Sequence, residues 1–452
     1  MYRIGNLLLS SSFNLSRVCC FSSNVPRIAV VGSGPAGLFT CASILRRSSC
    51  KLDVFDASPV PFGLVRYGVA PDHQEVKNCI HGFDKMFENN SERISLFCNV
   101  RIGNDVSFEE LTRNYDGVLL AYGAHKPRNL KIPGEYSTNV FSGSDFVSWY
   151  SGVPHAAGPL LDNPHAIIVG NGNVALDCAR ILSAGAGPNS TLRSTDVPSE
   201  YIQKLEDSAL RNIKIIGRRG PRDVSFTVKE LREQFKVKGW NTSVEMSASA
   251  HEQLKIDIAS FDRRKKRLLQ VLVDGVRQPE GEKQCQFLFN RSPIEIIADS
   301  NNRITSVVFK NSLTNEKEEM PCGLLVYSIG FETVVLDGVP KNEKGMIDMK
   351  DECRVRTKDD SKVYAAGWCA HGPRGVIVDT QQQSSAVANE IMKDIDGNSG
   401  KSGINRLLED RSVPYISWNK WKEMDVEEQC KGKERGKVRE KITEFEKYIK
   451  KH

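Results

Sequence analysis

Residues 27–47, RIAVVGSGPAGLFTCASILRR, pass from an apolar run through a glycine-rich turn into a stretch whose apolar positions recur at helical spacing. The same succession returns at residues 165–182, HAIIVGNGNVALDCARIL. Each reads as strand, tight turn and amphipathic helix, the opening of a βαβ unit. KLDVFD, residues 51–56, supplies the next strand of the first unit. NIKIIGRRGP, residues 212–221, supplies that of the second, delayed by a polar, partly helical insertion over about 183–211. The pattern predicts an α/β chain with two Rossmann-like dinucleotide-binding domains.

The turns carry the chemistry. Gly32, Gly34 and Gly37 form G-x-G-x-x-G, and Asp56 ends the following strand 24 residues after Gly32. In such a unit the first glycine permits the turn, the second lets backbone approach a pyrophosphate, and the third lets helix and strand pack closely. The helix N-terminus supplies amide donors, and an acid at Asp56 accepts from a ribose hydroxyl. Gly170, Gly172 and Ala175 repeat the motif as G-x-G-x-x-A, 138 residues after Gly32. Two units in one chain predict two dinucleotides: a bound flavin and a nicotinamide, donor and acceptor of one hydride.

The second unit departs from the first at the end of its next strand. Where an NAD site places an acid for the ribose 2′-hydroxyl, this chain has Arg218 and Arg219. Two guanidinium groups there match a 2′-phosphate, so the nicotinamide cofactor is read as NADP.

Composition narrows the class. At 40% apolar and 26% charged residues the 452-residue chain is an ordinary globular protein, long enough for two domains. No run approaches the roughly 18 apolar residues of a membrane span. The net charge of +6 allows an acidic partner without requiring one. The twelve cysteines are scattered with no C-x-x-C spacing, against a zinc or iron–sulfur site or a secreted disulfide framework. Residues 1–24 hold arginines and six serines, and the first acid of the chain is Asp53. That segment reads as an organellar transit peptide. Arg263, Arg264, Lys265, Lys266 and Arg267 make a basic run ahead of a helical apolar pattern. It has no aromatic-interleaved surface or motif of a nucleic-acid binder. The C-terminal stretch KGKERGKVREKITEFEKYIKK reads as a charged surface helix or frayed tail.

Longer strings carry a resemblance: SPVPFGLVRYGVAPDHQEVKN (58–78), DGVLLAYGAHKPRNLKIPG (116–134) and VYAAGWCAHGPRGVIVDT (363–380), together with GNGNVALD and GRRGP…FTVKELRE. With them the chain after the transit peptide closely resembles the adrenodoxin reductase family, mitochondrial NADPH–ferredoxin reductases. The resemblance implies an NADP-binding domain at 127–331 inserted into a discontinuous FAD-binding domain, 25–126 and 332–452. It implies FAD contacts at Ala36, Asp56, Leu64, Val100, Trp368, Gly375, Val376 and Ile377. NADP contacts fall on Asn171, Gly172, Asn173, Val174, Arg218, Arg219, Glu230 and Gly375. The family usually carries Glu where Asp56 stands, so this acid reaches less far.

By the same resemblance the flavin takes hydride from NADPH and releases electrons singly to an acidic [2Fe-2S] ferredoxin, docked on the 263–267 run. The ferredoxin chain would then serve P450s or iron–sulfur or haem biosynthesis. No metal site and no nucleic-acid partner are expected in this chain, and peripheral membrane association stays open. His73 and Asp177 are candidates for a polar pair near the two rings, with a satisfied structural histidine as the alternative. Rival readings are a flavin monooxygenase, a reductase module like the small subunit of glutamate synthase, and a flavin-free NADP scaffold. Yellow colour, bleaching by NADPH and dependence on ferredoxin separate them.

Overall fold

The structure is a computed structural model that describes residues 25–449 apart from 188–189, 374, 376 and 396–399. The expected transit peptide at 1–24 and the expected FAD contact Val376 lie outside the described residues.

In chain order, β1 (Arg27–Val31), β2 (Lys51–Asp56), β3 (Ile94–Cys98) and β4 (Gly117–Leu120) belong to one parallel sheet. A short β5 (Lys126–Pro127) leads to β6 (Val140–Ser142), β7 (His165–Val169), β8 (Asn212–Ile216), β9 (Asn241–Val244) and β10 (Gln284–Leu288). Then β11 (Arg291–Ala298), β12 (Ile304–Asn311) and β13 (Lys317–Pro321) form an antiparallel sheet. The chain returns through β14 (Leu324–Tyr327) and β15 (Phe331–Glu332), and β16 (Val363–Ala365) completes the first sheet. The strand orders are β16-β4-β1-β2-β3 and β6-β14-β7-β8-β10-β9. Where the chain leaves the first sheet and where it comes back, β5 and β15 pair antiparallel, Phe331 opposite Pro127.

Side-chain alternation explains why both parallel sheets are covered twice. In β1, Ile28 and Val30 face one core with the helices Pro35–Arg47 and Ile377–Asp394, while Ala29 and Val31 face another with Phe55, Phe97 and Leu111. In β7, Ala166 and Ile168 pack toward the helix Asn173–Gly185, and Ile167 and Val169 toward Val307, Phe309 and Met320 of the antiparallel sheet. Both units therefore expose their functional loops at strand ends, not on sheet faces.

The C-terminus departs from the surface helix or frayed tail that its charge pattern predicts. The helix Trp418–Glu434 gives way at Gly436 (φ 69°) to a segment that buries Lys437, Lys441, Ile442, Phe445 and Tyr448. Lys441 Nζ donates to the carbonyls of Ser151 (2.9 Å) and Arg66 (3.2 Å) and pairs with Asp196 at 3.0 Å. Lys77 pairs with the same carboxylate at 2.7 Å. Asp196 lies in the insertion of the second unit, so that insertion and the C-terminus clasp both units together.

Burial pushes the Lys441 ammonium down to about 7, with Asp196 opposing. The unfolded lysine keeps its proton up to its ordinary value of 10.5, so unfolding takes up a proton between the two values. The folded chain therefore gains stability as pH rises through that window. Urea denaturation at pH 7 and 9 should show a larger gain for the wild type than for Lys441→Met, and parallel gains would contradict this.

Candidate active site

The first cradle forms where β1, β2, β3 and β16 end. Gly32 stands at φ 111°, and a Cβ there would lie 2.4 Å from the Ala121 carbonyl oxygen. Among the described residues nothing lies within 4 Å of a Cβ built on Gly34, which leaves backbone open for a pyrophosphate. Asp56 Oδ2 accepts from the Ser33 amide (2.8 Å) and hydroxyl (2.5 Å), and Oδ1 accepts from the Ser58 amide (2.8 Å). Burial pushes the Asp56 carboxyl up and the Ser33 donors pull it back. The shorter acid thus braces the fingerprint loop, and Oδ1 keeps a lone pair for a hydroxyl.

Val100 is buried beside it, its amide donating to the Asp56 carbonyl at 2.9 Å. Gly367 abuts the fingerprint helix, since a Cβ on it would lie 2.7 Å from Ala36 Cβ. That contact sets half-buried Trp368 at the cradle's edge, with its ring 6.2 Å from Phe331. Leu64 is 47% exposed, an apolar group of the kind a bound ring would cover. Gly375 (φ 84°) leads into the helix that begins at Ile377, and Ser384 of that helix donates to the Ala36 carbonyl at 3.2 Å.

The second cradle repeats the geometry. Gly170 stands at φ 146°, where a Cβ would lie 2.4 Å from the Ser328 carbonyl oxygen. The Asn171 carbonyl accepts from the amides of Ser225 (2.9 Å) and Phe226 (3.2 Å), and Asn173 Oδ1 accepts from the Thr227 amide at 2.8 Å. Gly172 caps the helix from extended backbone, and Val174 is half-buried in its first turn. Arg218 and Arg219 are exposed at the end of β8, with no carboxylate partner among the described residues. Asn171 Oδ1 and Glu230 Oε2 are buried acceptors with no hydrogen-bond partner among the described residues. Asn171 lies against Gly217, next to Arg218, and an orphaned acceptor beside such cations suits a ligand carrying both a hydroxyl or amide donor and a phosphate.

Between the cradles lies a cluster the sequence reveals only in part. His73 Nε2 meets Glu233 Oε2 at 2.6 Å, not Asp177. Asp177 Oδ1 instead accepts from Arg180 at 2.7 Å, and Arg180 grips Asp72 with two bonds of 2.6 and 3.0 Å. Burial pushes the Asp177 carboxyl up while Arg180 pulls it down. His73 and Asp177 share one network without touching. Asp72, Arg180 and Glu233 went unread because no local pattern marks acids and an arginine that meet from separate elements far apart in the chain. Glu233 sits within the FTVKELRE string, and Arg180 follows Asp177 by one helical turn, the only signals available.

The basic run opens the helix Arg263–Asp274, capped by Asp262. Arg263, Arg264 and Arg267 are exposed and Lys266 is half-buried. Lys265 is diverted inward, its Nζ donating to the Val224 carbonyl at 3.0 Å. Cations in a first turn oppose the helix dipole, so their presence does nothing for local stability.

Comparison with known proteins agrees with this arrangement. The sequence signature of pyridine nucleotide-disulphide oxidoreductases matches residues 26–205. The chain is 36% identical to the mitochondrial NADPH:adrenodoxin oxidoreductase of Salvelinus fontinalis, over 94% of its own length and 92% of that protein. The Homo sapiens protein of the same name is 35% identical, over 93% of this chain and 90% of that one. Mycobacterium tuberculosis FprA in complex with NADPH superposes with a TM-score of 0.85 at 30% identity, covering 94% of this chain and 98% of that chain. Together the two cradles and these likenesses define an oxidoreductase that uses FAD and NADP(H). The chain belongs to the NADPH:adrenodoxin oxidoreductase family.

Proposed function

We propose that this protein takes hydride from NADPH onto FAD and hands the electrons one at a time to an acidic, adrenodoxin-type [2Fe-2S] ferredoxin in the mitochondrion. The ferredoxin would carry them to P450s or to iron–sulfur or haem biosynthesis, and the matrix or matrix face of the inner membrane is the proposed site. In this reading residues 25–126 and 332–452 make the FAD-binding domain and 127–331 the NADP-binding domain. The observation that carries it is the unpaired Arg218–Arg219 fork beside a second open cradle, which suits the extra phosphate of NADPH.

FAD, when bound, supplies the chemistry that joins a two-electron donor to one-electron acceptors. The protein's own residues bind and orient. Gly32, Gly34, Gly37, Ala36 and Asp56 would hold the FAD pyrophosphate and ribose, with Leu64, Val100, Trp368 and the 375–377 segment around its remainder. Gly170 to Val174, Arg218, Arg219 and Glu230 would hold NADP(H), with Gly375 at its nicotinamide end. His73 would hold a proton on Nε2 against Glu233, with Asp177 in the same network.

Ferredoxin docking on Arg263, Arg264 and Arg267 should be steered by charge and weaken as salt rises. Arg264→Glu and Arg267→Glu should each lower kcat/KM for ferredoxin about tenfold while NADPH-dependent ferricyanide reduction stays unchanged. Arg264→Glu also places an acid where the helix dipole favours one, so folding should not suffer. Ferredoxin-dependent cytochrome c reduction reads the effect. Unchanged ferredoxin kinetics in both variants would move docking elsewhere. An enzyme that oxidises NADPH with oxygen at full speed and ignores ferredoxin would defeat the functional reading itself.

A further inference from the structure

The helix that presents the second fingerprint to its nucleotide also carries Arg180, whose side chain is 3% exposed. Its Nε and one Nη bind the two oxygens of Asp72, that same Nη binds Asp177, and the other Nη stands 3.8 Å from Glu233 Oε2. That Glu233 oxygen is the one His73 meets at 2.6 Å, and His73 directly follows Asp72 in the chain. One planar cation therefore stands among three carboxylates from three elements: the 70–73 segment of the first unit, its own helix, and the helix Val228–Phe235 of the second unit. Outside this knot, Glu75 and Lys229 pair at 2.6 Å across the same boundary.

The geometry has consequences for function. A two-bond guanidinium–carboxylate fork fixes angle as well as distance, which a single point charge does not. The 70–73 segment continues the 58–68 turn, where a Cβ on Gly63 would come within 3.2 Å of Gly34 Cα, so it is tied to the first cradle. At its other end the Arg180 helix begins at Asn173, inside the second cradle. Arg180 thus links the segment tied to the first cradle with the helix that begins in the second. Its other Nη, buried and without a hydrogen bond among the described residues, points to a geometry set by the fork to Asp72.

We propose that Arg180 is a positioning residue for hydride transfer: by gripping Asp72 it sets the first unit against the second, and so fixes His73 beside Glu233 and the two reacting rings at working distance. The inference rests on the reading above, that NADPH reduces a flavin in this protein. A misplacement near 1 Å between reactants is enough to slow a reaction by about 10²-fold.

The test is anaerobic stopped-flow reduction of FAD-loaded protein by NADPH. Arg180→Gln should retain FAD and bind NADP⁺ within about threefold of the wild-type Kd, yet reduce its flavin about 10²-fold more slowly. Flavin already reduced by dithionite should pass electrons to ferricyanide at the wild-type rate. Arg180→Lys keeps the charge and loses the fork, so its reduction should fall between the two, about tenfold slow. Asp72→Asn removes the grip from its more exposed side and should reproduce the slow reduction; it decides the matter should Arg180→Gln lose FAD. Wild-type reduction rates in Asp72→Asn, or in an FAD-loaded Arg180→Gln, would overturn this role alone. A wild-type protein that NADPH fails to reduce would overturn the functional reading and this inference with it.

Discussion

Replacing Arg218 and Arg219 together by alanine should lower kcat/KM for NADPH by about 10²–10⁴-fold and leave that for NADH nearly unchanged. Each charge-assisted bond to a phosphate oxygen contributes on the order of 1.5–3 kcal/mol, and the two side chains stand at the strand end where the 2′-phosphate of NADP would sit. Neither arginine has a carboxylate partner among the described residues, so removing them strands no buried charge there. Both are exposed, and stability should move by no more than about 0.5 kcal/mol. FAD content should be untouched, because the cradle proposed for FAD is built from other strands. Steady-state kinetics with the two coenzymes reads the outcome directly. Equal losses with NADH and NADPH would mean that the pair binds something common to both.

The second large effect is structural. Glu428→Gln should destabilise the protein by about 3–5 kcal/mol, because it removes the negative charge from a buried site that keeps its cations. Glu428 is fully buried and accepts from Arg66 at 2.9 and 2.5 Å, from Arg439 at 3.0 Å and from the Ile442 amide at 2.9 Å. Arg66 is itself buried, 5.0 Å from the Trp421 ring, and Glu428 holds its guanidinium even more firmly protonated than usual. This pair ties the short helix Leu64–Tyr67, beside the first glycine fingerprint, to the helix Trp418–Glu434. The urea midpoint for FAD release should therefore fall with the folding midpoint. Arg66→Met combined with Glu428→Met should regain part of the loss, since a buried ion pair is costly to break and cheap to replace whole. A Glu428→Gln protein that unfolds at the wild-type midpoint would show that water reaches this site.

What the sequence made readable was local. Strand, glycine turn and helix stand within about 20 residues, and Gly32, Gly37 and Gly170 are required by a conformation or a contact their neighbours impose, while Gly34 leaves open space for a ligand. The arginine pair was readable for the same reason, because a strand end has one neighbour that matters. The cluster between the cradles was not, since the partner of His73 comes from 160 residues further on. Helix Val228–Phe235 offers both Glu230 and Glu233, and only the fold shows which one turns to the histidine. Charge misled at the C-terminus. Lys437 and Lys441 look like solvent-facing residues, but Ile442, Phe445 and Tyr448 bury the same segment and carry the lysines in against carbonyls and Asp196. The run at 263–267 misled more mildly, by counting Lys265 among the available cations.

The most direct test of the whole account is anaerobic titration of the purified protein with NADPH and, separately, NADH, followed by flavin absorbance. The protein should be yellow and bleach with about one equivalent of NADPH per FAD, at a rate at least 10²-fold faster than with NADH at equal low concentration. A colourless protein that does not take up FAD, or one bleached equally fast by NADH, would contradict it.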